Sequence, residues 1–142
     1  MTVLVLDTDH LTEYQKGTSA QAIRLKTRLS LSAEPYATTI LSVEEIMRGW
    51  MAAVRRTSDP HGQIKVYFRL QQLFRFFATW HVLAWNESAA DEFAALKQEK
   101  IRVGTIDLMI ASICIANGGI LLSRNMADFG RIPKLHVEDW LQ

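Results

Sequence analysis

The chain has 142 residues, 49% apolar and 22% charged, with a formal net charge of +1, seven glycines, three prolines and one cysteine. That length fits one domain, residues 1–142, which buries roughly two-thirds of its unfolded surface without a disulfide or structural metal, and the composition leaves no room for a disordered tail. Near-neutral charge excludes a whole-molecule field that draws in a polyanion, so such a partner must be held by bound metal or by local basic clusters. Arg24/Lys26/Arg28, Arg55/Arg56 and Arg124/Arg131/Lys134 are such clusters, and each taken alone also reads as ordinary solvated surface.

Residues 2–6, TVLVL, read as a buried strand that runs directly into Asp7 and Asp9. Charge at the rim of a core must be solvated, paired or bound to a cation. The apolar run stops before a signal-peptide core forms, and the longer run LMIASICIA is about half of a membrane span, so an unexported, cytoplasmic protein with no membrane partner is expected. Helical periodicity then marks residues 18–32, a β-rich run marks 36–40, and helices follow at 42–57 and 62–77. A strand at 80–84, helices at 87–101 and 105–117, the turn Asn117-Gly118-Gly119 and a strand at 120–123 complete the pattern. Cys114 lies inside the last long helix and reads as a small core hydrophobe. Strands alternating with helices predict a three-layer α/β/α domain around a mostly parallel sheet of four or five strands.

In such sheets ligands gather in the crevice at the carboxyl ends of the strands. Asp7 and Asp9 follow the first strand there, and Ser123, Asn125 and Asp128 follow the last one. Each acid also has a plainer reading. Asp7 can cap a helix starting near His10, and His10 itself reads as a surface or capping neighbour, since no second histidine stands at ligand spacing. Glu45 lies on a strip of small residues, Ser42, Gly49 and Ala52, opposite a bulky stripe of Val43, Ile46, Met47, Trp50 and Val54. Either the bulky stripe is core and Glu45 is solvated, or the small strip packs at the sheet edge, aims Glu45 at the first strand and leaves the bulky stripe to a partner. Asp107 opens an otherwise apolar helix, with Thr105 as a candidate N-cap. Asn125-Met126-Ala127-Asp128 has the form of a cap for one helical turn, and Asp91 and Glu92 fall on a polar helix face.

Taken together, Asp7 in LDTD, Glu45 in SVEEIMRG, Asp107 in VGTIDLMIA and Asp128 in SRNMADF resemble the PIN-domain family, specifically VapC-type toxins of bacterial toxin–antitoxin pairs. The stretch from Val103 through LLSRNMADFGRIPKLHVEDW resembles the family's last third, ESAADEFAALKQEK resembles the preceding helix, and the likeness is weak from Arg55 to Phe77. The resemblance implies that the four acids gather Mg²⁺ or Mn²⁺ and hydrolyse RNA, with Ser123 and Asn125 assisting. It implies tRNA or another structured RNA as substrate, a small VapB-like antitoxin as partner, and a homodimer. Asp9 stands where many members carry a neutral residue, and Glu44 is a second candidate beside Glu45, which matches the family's Glu-x-x-x-Gly pattern.

The chemistry suits these residue types independently, because hard divalent cations prefer oxygen ligands and a metal-activated water needs no histidine or cysteine nucleophile. Asp7 is then the central ligand, Asp107 and Asp128 flank it, and Glu45 is a ligand or the base for the attacking water. Two rival readings are a PIN-like module that binds RNA or protein without cutting, and a haloacid-dehalogenase-like phosphatase with Asp7 as nucleophile and Asp9 as acid–base. The bulky groups Ile46, Trp50, Val54, Leu70, Phe74 and Phe77 are the expected partner surface.

Overall fold

In the computed structural model, which describes residues 2–142, the first apolar run becomes strand β1 (Leu4–Leu6), buried at every position. Helices α1 (Thr8–Lys16) and α2 (Ala20–Leu31) follow, then β2 (Tyr36–Thr39) and the long pair α3 (Ile40–Arg56) and α4 (Pro60–Ala78). Strand β3 (Val82–Leu83), helices α5 (Glu87–Gln98) and α6 (Thr105–Ala116), strand β4 (Ile120–Leu122), the single turn α7 (Met126–Phe129) and strand β5 (His136–Glu138) complete the chain. Two elements lack the signals used above. Helix α1, TDHLTEYQK, has too few apolar residues to show a period, and β5 is three residues long and only partly covered. Ile40, expected to close a strand, instead opens α3, because the Thr39 hydroxyl accepts from the Ser42 amide and caps the helix.

The five strands run in the order β3-β2-β1-β4-β5, and every neighbouring pair is parallel. β1 therefore lies in the middle, buried on both faces, which is why it reads as a continuous apolar run. Its alternation divides the core in two. Val5 points into the layer formed with α5, α6 and α7, where Leu96, Leu108, Ile110 and Phe129 are buried. Leu4 and Leu6 point the other way, into Leu11, Leu25, Leu29 and Leu141, with Tyr14, Phe76 and Trp80 packed at its edge. The domain is thus α/β/α, as the sequence predicts.

The strand order reverses between β1 and β4, which pair with Leu6 opposite Leu122. The next residues, Asp7 and Ser123, are consequently neighbours at the carboxyl edge, where a doubly wound sheet opens its crevice. The turn before β4 is built for this close pairing: Gly118 has φ +64°, and a Cβ on Gly119 would stand 2.9 Å from Val5 Cγ2.

Candidate active site

Asp7 lies at the N-cap position of α1 but its side chain makes no capping hydrogen bond. Its Oδ2 instead accepts from the Ser123 hydroxyl at 2.8 Å, across the β1–β4 junction. The carboxyl is only 8% exposed. Burial pushes its pKa up to about 6; the Ser123 hydrogen bond opposes that rise, and the charges of Asp9 and Glu45 add to it.

Ser123 also accepts from the Asn125 amide at 3.0 Å. The Asn125 side chain then spans two further acids, donating to Asp128 Oδ2 at 3.1 Å and to Asp107 Oδ2 at 3.4 Å. Asn125 caps α7 through the Asp128 amide, so the capping arrangement read from the sequence is present, and the same side chain serves the site. Asp107 sits in the first turn of α6, whose N-cap is Gly104; Thr105 is the first helical residue, not the cap. Burial raises the Asp107 pKa, and the Asp128 charge raises it further.

The fourth acid arrives from α3. Glu45 Oε1 accepts from the Thr8 hydroxyl at 3.2 Å, so the carboxylate does face the end of β1. Burial raises its pKa, the Thr8 bond opposes this, and Asp107 adds to the rise. Glu44 lies on another face, paired with Arg48 at 2.6 Å. The small strip behaves differently from expectation beyond its first turn. Ser42 is buried, but Gly49 is exposed with nothing within 4 Å of a Cβ placed there. The bulky stripe is divided too, since Ile46 and Phe77 pack onto the core while Phe74 is 62% exposed. Glu92 is half-buried rather than solvated, with Oε2 lacking a hydrogen-bond partner.

All six residues singled out from the sequence, Asp7, Glu45, Asp107, Ser123, Asn125 and Asp128, therefore meet at one edge of the sheet. Thr8 is a member that the sequence did not mark. Among the described residues no three carboxylate, imidazole or thiolate groups come close enough to enclose a metal ion. The donors are all oxygen, with three acids raised in pKa by burial and by one another. Such an open set suits a hard cation that keeps several of its waters, not a closed cage.

Asp9 and His10 have structural work. Asp9 accepts from the Arg124 amide at 2.9 Å, from the His10 amide and from His10 Nδ1 at 2.7 Å. Burial pushes the Asp9 carboxyl up, but these bonds outweigh it and hold the pKa below the ordinary value. His10 is fully buried, not a surface residue, and its Nε2 accepts from the Trp140 amide at 3.0 Å. That bond requires a lone pair on Nε2 and so places the ring proton on Nδ1, facing Asp9. A phosphatase acid–base must be free to exchange its proton, and Asp9 is fully engaged.

No family model matches the chain. A 45-residue stretch is 42% identical to ribonuclease VapC2 of Rickettsia felis, covering 32% of this chain and 34% of that protein. A 69-residue stretch is 32% identical to the tRNA(fMet)-specific endonuclease VapC of Salmonella typhimurium, covering 46% and 52%. The chain thus spans about a third and about half of the curated relatives it matches. Over nearly the whole length, the fold is similar to a chain in the VapBC-1 structure from nontypeable Haemophilus influenzae, with a TM-score of 0.73, 19% identity, and coverage of 99% of this chain and 100% of that one. Parts of the sequence are thus similar to VapC proteins, and the fold is similar to that of the Haemophilus chain.

Proposed function

We propose that this chain is a VapC-type endoribonuclease that uses Mg²⁺ or Mn²⁺ to hydrolyse phosphodiester bonds in tRNA or another structured RNA. The observation that carries the reading is the buried Asp7 carboxylate at the strand crossover, raised in pKa by that burial and by the charge of Glu45, and hydrogen-bonded to Ser123, through which Asn125 links it to Asp107 and Asp128. The names of the two curated relatives support it.

Asp7, Asp107 and Asp128 would hold the cation, with Glu45 as a further ligand or as the base. A divalent cation in such a site supplies charge to the phosphoryl oxygens and acidifies water. The chain's own groups do the rest. Glu45, exposed at the mouth and raised in pKa, accepts a proton from the attacking water as its oxygen bonds to phosphorus and the bond to the leaving sugar oxygen breaks. Ser123 fixes the Asp7 carboxylate, and Asn125 holds Asp107 and Asp128 in position. Removing or misplacing a carboxylate therefore costs activity without costing the fold.

The test is cleavage of a mixed RNA pool by purified protein, with Mg²⁺ or Mn²⁺ and with chelator. Metal-dependent cleavage by the wild type and at least about a hundredfold loss in Asp7→Asn are expected, the size seen when one essential charge-handling group is removed. Binding without turnover would favour the non-cutting module, and wild-type cleavage by Asp7→Asn would remove the site.

The same reading brings a VapB-like antitoxin and a second copy of the chain as partners. The stripe Ile64, Tyr67, Phe68 and Phe74 along α4, at 66%, 51%, 48% and 62% exposure, is the apolar face that self-association would cover.

A further inference from the structure

A groove of about 850 Å³ runs between α1, α3 and α4, and Glu45 stands at one end of it. Its walls carry Lys16 from α1, Arg56 from α3 and Arg69 from α4, with Gln15 and Gln72, around an apolar floor of Ile46, Ala53 and Leu73. Glu45 is its only acidic lining residue. Arg56 and Arg69 are exposed, and neither has a hydrogen bond or ion pair among the described residues. Lys16 reaches Glu13 only at 3.7 Å. With three cations to one acid along its walls, and two of the cations unpaired, the groove favours an anionic occupant.

Two features say what kind. Half-buried Trp50 lines the groove among these cations and presents an aromatic surface. Gly49, one residue earlier, leaves its part of the groove open. A cationic track with an aromatic platform is the arrangement that holds a single nucleic-acid strand, phosphates on the cations and an unpaired base on the ring. The adjacent Arg55 does not take part, since it lines a separate hollow with Glu44, Met47 and Arg48 on another face of α3.

We infer that an unpaired segment of the RNA strand lies along this groove, with its phosphates on Arg56, Arg69 and Lys16 and a base stacked on Trp50, and reaches the acidic site past Glu45. The inference rests on the nuclease reading for the identity of the anion. It makes Arg56, Arg69 and Trp50 substrate-positioning residues that do not touch the reacting atoms. An acidic polypeptide is the competing occupant.

The experiment measures binding of a fluorescent single-stranded oligoribonucleotide in chelator across a salt series. Arg56→Gln/Arg69→Gln should bind at least about tenfold more weakly, and the slope of log K against log salt should shrink by about 1.4, or about 0.7 for each lost phosphate contact. Trp50→Ala should weaken binding at unchanged slope, with recovery in Trp50→Phe, and Gly49→Leu should block binding without a charge change. Arg55→Gln should match the wild type. An unchanged slope in the double variant, equal losses in Arg55→Gln, or a polyglutamate peptide occupying the groove in place of the oligoribonucleotide would overturn the inference. RNA-pool cleavage by wild type and Asp7→Asn is scored separately. Cleavage with an unchanged slope removes the groove and keeps the nuclease, whereas groove-dependent binding without cleavage does the reverse.

Discussion

At Asp7, burial and neighbouring charge both oppose ionisation, and the pKa rises from 3.8 to about 6. A group raised in the folded state contributes its full stability below the unfolded pKa and loses it as pH rises through about 6. That displacement corresponds to roughly 3 kcal/mol, at about 1.4 kcal/mol for each tenfold change in proton affinity. Asp7→Asn is therefore expected to melt several degrees above wild type at pH 8 in chelator and to lose this advantage near pH 4, as read by thermal denaturation. Glu45 and Glu44 separate by partner: Glu45→Gln is expected to abolish cleavage and Glu44→Gln, which loses only an exposed pair with Arg48, to leave it nearly intact. The reverse order in kcat/KM would show that the neighbours exchange roles. Asp7 and Asp107 were legible because each abuts an apolar run, whereas Glu45 and Asp128 became legible only as part of four motifs in order. Thr8 and Asn125's double duty were not, since a hydroxyl after an aspartate or an amide at a cap carries no pattern until the strands are placed side by side.

Helices α3 and α4 show how much an element's face depends on its neighbours. Periodicity alone marked Ile46, Trp50 and Val54 as one stripe; Ile46 and Trp50 both line the groove, and Ile46 also packs on the core. On α4 the exposed apolar residues form a stripe, Ile64, Tyr67, Phe68 and Phe74. Phe68→Ser/Phe74→Ser is expected to reduce self-association in sedimentation while leaving the melting temperature of the monomer within a few degrees of wild type, because neither ring is core. A fall in stability with unchanged mass would show that these rings support the fold. Strands β1, β2 and β4 and the five long helices were readable because burial on one or both faces imposes a period. β5, His-Val-Glu at a sheet edge, imposes none.

Across the whole molecule, the fold is closed by residues that sequence distance hides. His10 on α1 accepts from Trp140, 130 positions later, while its other nitrogen faces Asp9, which in turn holds the Arg124 amide. Arg28 lies 3.9 Å from the Trp140 ring and pairs loosely with Glu138, so α2 joins the same corner. Replacing His10 by Ala empties a fully buried site, removes one of the three donors to Asp9 and leaves the Trp140 amide without its partner. A loss of about 2–5 kcal/mol in urea denaturation is expected from those two effects together. A loss under about 1 kcal/mol would mean that the corner is held by packing of Trp140 and Leu141 alone.

The strand order also sets a clock. β1 is made well before β4, one of its flanking strands, so the Asp7–Ser123 bond joins residues 116 positions apart. At about 5–20 residues per second, roughly 6 to 23 s separate the synthesis of the two partners. For most of that interval the nascent chain lacks Asp107's helix, and throughout it lacks the loop after β4 that aligns the acids. On the nuclease reading proposed above, the site is thus incomplete until β4 has been made, and the delay is long enough for a partner already present to meet the chain as it is completed.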